Sequence, residues 1–309
     1  MGFVAVEELD DALERTKDIL LPFDLKTWSK LAFICLFLGG TGFSFFNVPS
    51  GYTGDGQYSM QAGESMAGMA TALPLESAVA AGAVGAVFLL VLGFMYLSSV
   101  FEFVMYRAVR EKKVSIRDRM SEHAVDGLKY FGFQLVYALA ALAMVAAGVG
   151  SFVLNPLLGV LAFLVLIPVF IVVAVFAGVV HDFALQMMVD GKGFRESVMK
   201  SVGLMKSDWE EFGAYLLLRL VVSWTVSIGA AVIFMIPALV IGLPFLFIVI
   251  LLAEASPILA GITGVAGLIV VLVFGLYVSV PFKTYMYSYF VELYDGFMDR
   301  LEVGDAGLP

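Results

Sequence analysis

One cysteine and two histidines are all that this chain of 309 residues offers for thiolate or imidazole chemistry. A lone Cys35 rules out an internal disulfide and a thiolate metal cage. His123 and His181 alone leave little for metal or acid–base work, so no metal and no cofactor is expected. Charge is scarce too: Asp, Glu, Lys and Arg make up 15% of the residues, against about 25% in an ordinary soluble domain. The balance is −9, and no basic stripe exists to neutralise phosphates, so no nucleic-acid partner is expected. There is no Walker loop, no Ser/His/Asp set and no His-Glu-x-x-His. The first thirty residues lack the apolar core of a cleavable signal. The first membrane segment is therefore expected to act as its own insertion signal.

Apolar residues fill the space that charge leaves. The chain is 61% hydrophobic with a mean hydropathy of +0.96. Several stretches exceed the roughly 18 uncharged residues that mark a transmembrane helix. The fold class expected is an all-α integral membrane bundle.

In chain order, residues 1–22 read as an amphipathic helix, with Val6, Leu9, Leu13 and Leu20 at helical spacing among acids and Pro22 at its end. It is expected either on the membrane surface or docked on the bundle. Six spans follow, at 31–46, 77–100, 131–150, 157–180, 213–236 and 258–280. Residues 47–76 form an outer loop rich in Gly, Ser and Met. Pro237, Gly242 and Pro244 break the reading at 237–257, which becomes an outer re-entrant or interfacial segment; counting 245–253 as a full span gives the alternative of seven crossings. Residues 281–299 form a C-terminal aromatic helix.

Two charged elbows separate the middle spans, 107–129 and 181–212. In the second, Phe194, Val198, Val202, Met205, Trp209 and Phe212 fall on one helical face, the pattern of a helix lying in the interface plane. Arg15, Lys17, Lys26, Lys30 and both elbows hold the cations, whereas 47–74, 151–156 and 237–257 hold no Lys or Arg. The positive-inside rule then places both termini in the cytoplasm of a multi-pass cell-membrane protein.

The elbows suggest an internal repeat. Phe131-Gly132 matches Phe212-Gly213, and Val280-Pro281-Phe282-Lys283 matches Val100-Phe101-Glu102-Phe103 and Val180-His181-Asp182-Phe183. Three hairpins of the same sense would complete the chain. Small residues recur at four-residue spacing, among them Gly82 and Ala86, Gly178, Ser223 and Ser227, and Gly264. Such stripes serve close helix packing in lipid, either within one bundle or as a dimer face.

Three stretches carry a resemblance: DFALQMMVDGKGFRESV at 182–198, the Trp209 to Arg219 run ending in YLLLR, and VPFKTYMYSYFVELYDGF at 280–297. Together they are similar to an uncharacterised archaeal, chiefly haloarchaeal, family of polytopic membrane proteins. That family is distantly similar to the membrane domain of glycerophosphodiester phosphodiesterases. The resemblance covers about 77–297 and implies six spans; it implies no activity, because that family has no established function, and no catalytic phosphodiesterase domain is expected here.

The charges of most interest are Glu102, His181, Asp182 and Lys283, which the repeat places at the same end of three returning spans, with Arg219 about one and a half turns inside the fifth. Ionisable groups at membrane depth are functional candidates by default. Here structural pairing competes with ion or substrate coordination. Glu254 is expected to cap the sixth helix, and His123 to be solvated. Met60, Met66 and Met69 without a histidine are weak copper ligands.

Three function classes remain. The first is a nonenzymatic membrane scaffold or adaptor embedded in the lipid bilayer, with a membrane or cytoplasmic protein, or a second copy, as partner. The second is a small-solute, ion or lipid transporter or channel. The third is an intramembrane enzyme, disfavoured by the shortage of His, Cys and midplane acids.

Overall fold

The computed structural model describes residues 4–38, 78–207 and 209–305, and all regular structure among them is helical. Five helical stretches are long and apolar enough to cross a membrane: Gly85–Glu111, Ala124–Leu154, Pro156–Val189, Glu210–Ala255 and Pro257–Asp299. The expected first span begins inside a further helix, α2 (Leu25–Leu38). Its second half, the outer loop 47–76 and the methionines there lie outside the described residues.

The amphipathic first helix, α1 (Val4–Leu20), is docked on the protein. Ala12 is fully buried, and Ile19 and Leu20 nearly so. Arg15 pairs with Glu292 near the chain's end, and Lys112 holds Asp18 at 2.6 Å. Asp24 starts α2 by accepting from the backbone N–H of Lys26 and Thr27 and from the Thr27 hydroxyl. The Thr27 hydroxyl bond is the largest influence that keeps the Asp24 carboxyl below its ordinary range.

The next helix, α3 (Ala78–Glu111), extends well past the expected span. It ends with Lys112 at φ 52, and the Lys113 N–H reaches back to the Ala108 carbonyl at 3.2 Å. That is a left-handed helix cap, a place usually kept for glycine. A short α4 (Ile116–Glu122) then leads through His123 into α5 (Ala124–Leu154). Asn155 turns the chain into α6 (Pro156–Val179), its side chain accepting from Leu157 N–H at 2.9 Å while Pro156 occupies the first turn. α6 widens into a π-helical turn, Val180–Ala184, and closes as α7 (Leu185–Val189). Gly191, at φ 85, caps α7 in the way Lys112 caps α3, with Lys192 N–H on the Met187 carbonyl.

α8 (Phe194–Ser207) stops before Trp209, so Trp209 and Phe212 belong to the following helix and not to the expected interfacial one. The innermost positions of α8 are Ser197 and Ser201, both fully buried, flanked by half-buried Phe194, Val198, Val202 and Met205. Their hydroxyls bond the carbonyls four residues back. The apolar face predicted for the interface plane thus packs against the π turn.

The largest departure from the sequence reading is α9 (Trp209–Ala255), one helix that passes through Pro237 and Pro244 without a break. Residues 237–257 form no separate re-entrant element, and the chain has no place to reverse between Trp209 and Ala255. Prolines are tolerated within apolar helices where neighbouring elements accommodate the freed backbone. Here the partner is α10 (Pro257–Asp305), which runs antiparallel to α9 and itself carries Pro281 in its interior. The aromatic segment 281–299 is therefore the continuation of α10. Ser256 starts α10, accepting from Leu259 N–H at 3.4 Å; Glu254, exposed in the last turn of α9, does not cap it.

Burial is concentrated at one end of the bundle. The core joins α1 and α2 to residues 97–109 of α3, the π turn and α7, residues 212–222 of α9 and 280–294 of α10. The opposite ends of the α5/α6 and α9/α10 hairpins are exposed and apolar, with Leu154 84% and Ile258 77% exposed. From the level where Gly178 meets Arg219, α6 is shorter to its turn than α9 is to its own by roughly 20 Å at 1.5 Å per residue.

Candidate functional site

Four of the five expected charges meet where four long helices converge. Glu102 comes from α3, His181 and Asp182 from the π turn, and Arg219 from α9. His181 Nδ1 lies 2.6 Å from Asp182 Oδ1, and Nε2 lies 3.5 Å from Glu102 Oε2. Arg219 Nε is 2.6 Å from Asp182 Oδ2, and its Nη2 donates to Oδ1 at 3.2 Å. Glu102 and Asp182 are each 1% exposed. With His181 protonated, two carboxylates face two cations, a balance that burial demands.

The π turn places these groups. Leu185 N–H bonds the Val180 carbonyl five residues back, which widens the helix. The carbonyls of the turn then receive side-chain donors. Gln186 Nε2 donates to Asp182 O at 2.8 Å and to Phe290 O at 2.5 Å, which ties the turn to α10. Tyr106 reaches the His181 carbonyl at 3.5 Å. Tyr106, Tyr287 and Phe290 enclose the cluster, and the Arg219 guanidinium sits 5.9 Å over the Phe290 ring.

Lys283 does not join the ion pairs. Its Nζ donates to the Leu38 carbonyl at 3.1 Å, which fastens α10 to α2. The sequence reading also missed Tyr215, whose hydroxyl donates to Asp182 Oδ2. A signal was present: Tyr215 and Arg219 are four residues apart on an apolar helix, hence on one face.

The small-residue stripes divide. Gly178 borders the site: a Cβ there would lie 2.3 Å from Arg219 Nη1, so the guanidinium would have to shift. Ser223 is buried and Ser227 half-buried one turn apart on α9. A Cβ added at Gly264 would be in ordinary contact with Val249 at 3.6 Å. Gly82 and Ala86 lie on an exposed face, and nothing among the described residues comes within 4 Å of a Cβ built on Gly82. Gly132 and Gly213, the paired elbow positions, are equally open among the described residues; the tight crossing of α3 and α5 is at Gly127, where an added Cβ would lie 2.5 Å from Val100 Cγ2.

His123 is buried rather than solvated. It stacks on Phe103 at 5.7 Å and 17° and is 5% exposed. Burial pushes its imidazole below the ordinary value. No group of three or more His, Cys, Asp and Glu able to hold a metal occurs among the described residues.

Outside the core, a groove of about 1320 Å³ opens beside α8. Lys129, Lys192, Arg195 and Lys200 stand around it, Glu196 is its one acid, and Met187, Leu204 and Met298 are among its apolar lining. Lys200 pairs with Glu196 at 2.9 Å and Lys129 with Asp126 at 2.7 Å. A second, apolar cleft of about 390 Å³ lies between α6 and α9.

The model of a family of unknown function, DUF7544, matches residues 3–303, and the chain belongs to that family. No curated protein and no solved structure matches it.

Proposed function

With membership of the DUF7544 family as the premise, we propose that the protein is a nonenzymatic membrane adaptor that holds an acidic, amphipathic segment of a partner protein in the groove beside α8. The groove itself carries this reading. Lys129 and Lys200 hold Asp126 and Glu196, and Lys192 and Arg195 add two cations that no ion pair among the described residues engages, around an apolar floor in a chain whose net charge is −9. Charge complementarity of this kind selects a partner and steers its approach.

In this reading the protein is a multi-pass protein of the cell membrane with six crossings, α2 starting the first, and the Lys- and Arg-rich end faces the cytoplasm with both termini. The three-hairpin repeat belongs to the same reading. It is supported by the matching left-handed caps at Lys112 and Gly191 and by the aligned charges, Glu102, His181 and Asp182 buried and Lys283 half-buried. The archaeal relationship is part of it too, and a sequence pI near 4.7 is compatible with a halophile.

The transport reading keeps less support. One of its two arguments was an interrupted helix at 237–257, and α9 is continuous there. The other was the charged cluster, whose members pair with one another.

The test is a photo-crosslinking amino acid at Met199, which is 64% exposed at the groove, in cells that make the protein natively. Crosslinks to an acidic segment of one protein, lost on Lys192→Glu with Arg195→Glu, support the adaptor. Crosslinks to lipid alone refute it.

A further inference from the structure

The α6/α9 cleft has the features of a lipid site. The two helices are not packed closely along its length; the Arg219 side chain bridges them, reaching Gly178 and Asp182. The walls are apolar and open outward, with Ile171 55%, Leu217 72%, Leu220 55% and Trp224 47% exposed. At its base lie Arg219 and buried Ser223.

Depth decides what fills it. About 20 helical residues cross the roughly 30 Å hydrocarbon layer. With the layer starting at the turn at Asn155, about 20 residues of α6 reach Val175, and the α9/α10 hairpin projects roughly 20 Å beyond the layer on the opposite side. Gly178 and the Arg219 guanidinium beside it lie about one turn further, at headgroup level. The cleft above them is at acyl-chain depth, where hydrocarbon chains are what the bilayer supplies. Arg219 engages Asp182 through Nε and Nη2, while Nη1 lies on the Gly178 side, toward the cleft. A guanidinium matches a phosphate in shape and charge.

We infer that the cleft binds one phosphate-bearing membrane lipid from the leaflet on the side of the charged cap, with its phosphate on Arg219 and one hydrocarbon chain between α6 and α9. The site is separate from the groove beside α8 and does not depend on the adaptor reading.

The test uses the unmodified full chain in nanodiscs with phosphatidylglycerol that carries a diazirine in one acyl chain. Irradiation and peptide mapping should place the label on residues 170–178 and 216–224. A galactosyl diglyceride with the same chains, which lacks phosphate, should need at least tenfold more to compete than unlabelled phosphatidylglycerol. Ala174→Trp fills the cleft without touching the ion pair and should abolish the labelling; Leu217→Trp does so from the opposite wall. Labelling spread over all the spans, or equal competition by the galactolipid, overturns the proposal.

Discussion

Arg219 reaches Asp182 across the boundary between α9 and α6 with its Nη1 in the space beside Gly178, where a Cβ would stand 2.3 Å from it. A glycine in a small-residue stripe thus makes room for a cation, where the sequence pattern suggested helix–helix contact alone. Removal of one partner of a buried pair leaves an uncompensated charge and costs about 3–5 kcal/mol. Arg219→Met is expected to lower stability by that amount. Gly178→Val, which forces the flexible guanidinium end to shift, should cost less than Arg219→Met when made alone and little in the Arg219→Met background. Thermal unfolding of the purified single and double variants checks this. Additive effects would separate the two residues.

The elbow glycines are a second case. The repeat reading makes Gly132 and Gly213 equivalent packing points, yet both face open space among the described residues. Trp at either position should leave the yield of folded protein close to wild type. Gly127→Leu should destroy it, because the new side chain meets Val100 backbone as well as side chain. Size-exclusion profiles in detergent distinguish these outcomes.

Lys112 adopts a left-handed backbone, which costs a non-glycine residue about 1 kcal/mol. Its ion pair with Asp18 is about half exposed on both sides and contributes little. Lys112→Gly should therefore stabilise the protein by about 0.5–1 kcal/mol, measured as a rise in melting temperature. A fall would mean that the contact with α1 outweighs the backbone cost.

His123 supplies a pH dependence. Burial is the main influence on its imidazole and lowers its pKa, partly opposed by Glu122 and Asp126. A depressed histidine is neutral in the fold, so its contribution is fully present above the unfolded value of about 6.5. That contribution is lost as pH falls through the folded value. Wild type should lose more stability than His123→Phe between neutral pH and pH 5. Parallel losses in the two proteins would contradict the assignment.

Hydropathy made a bundle of long apolar helices legible, five of which among the described residues are long and apolar enough to cross a membrane, and charge singled out Glu102, His181, Asp182 and Arg219, which the structure brings together. Three features escaped. Pro237 and Pro244 were read as breaks because proline disrupts helices in water; the pairing of α9 with α10 overrides that local preference. The π turn has no sequence period, and without it the depth and direction of His181 and Asp182 cannot be derived. Lys283 fits the repeat pattern, but its side chain reaches the end of α2 instead, a choice set by tertiary neighbours. On α8, Phe194, Val198, Val202 and Met205 are half-buried around the innermost Ser197 and Ser201, and what covers that face depends on the π turn beside it.

The most direct test of the adaptor account is mass spectrometry of the protein gently purified from its native membranes, beside the Lys192→Glu, Arg195→Glu, Lys200→Glu variant. The account predicts one protein partner in stoichiometric amount with wild type and none with the variant. Wild type that carries no protein partner, or the same partner held equally by the variant, would contradict it.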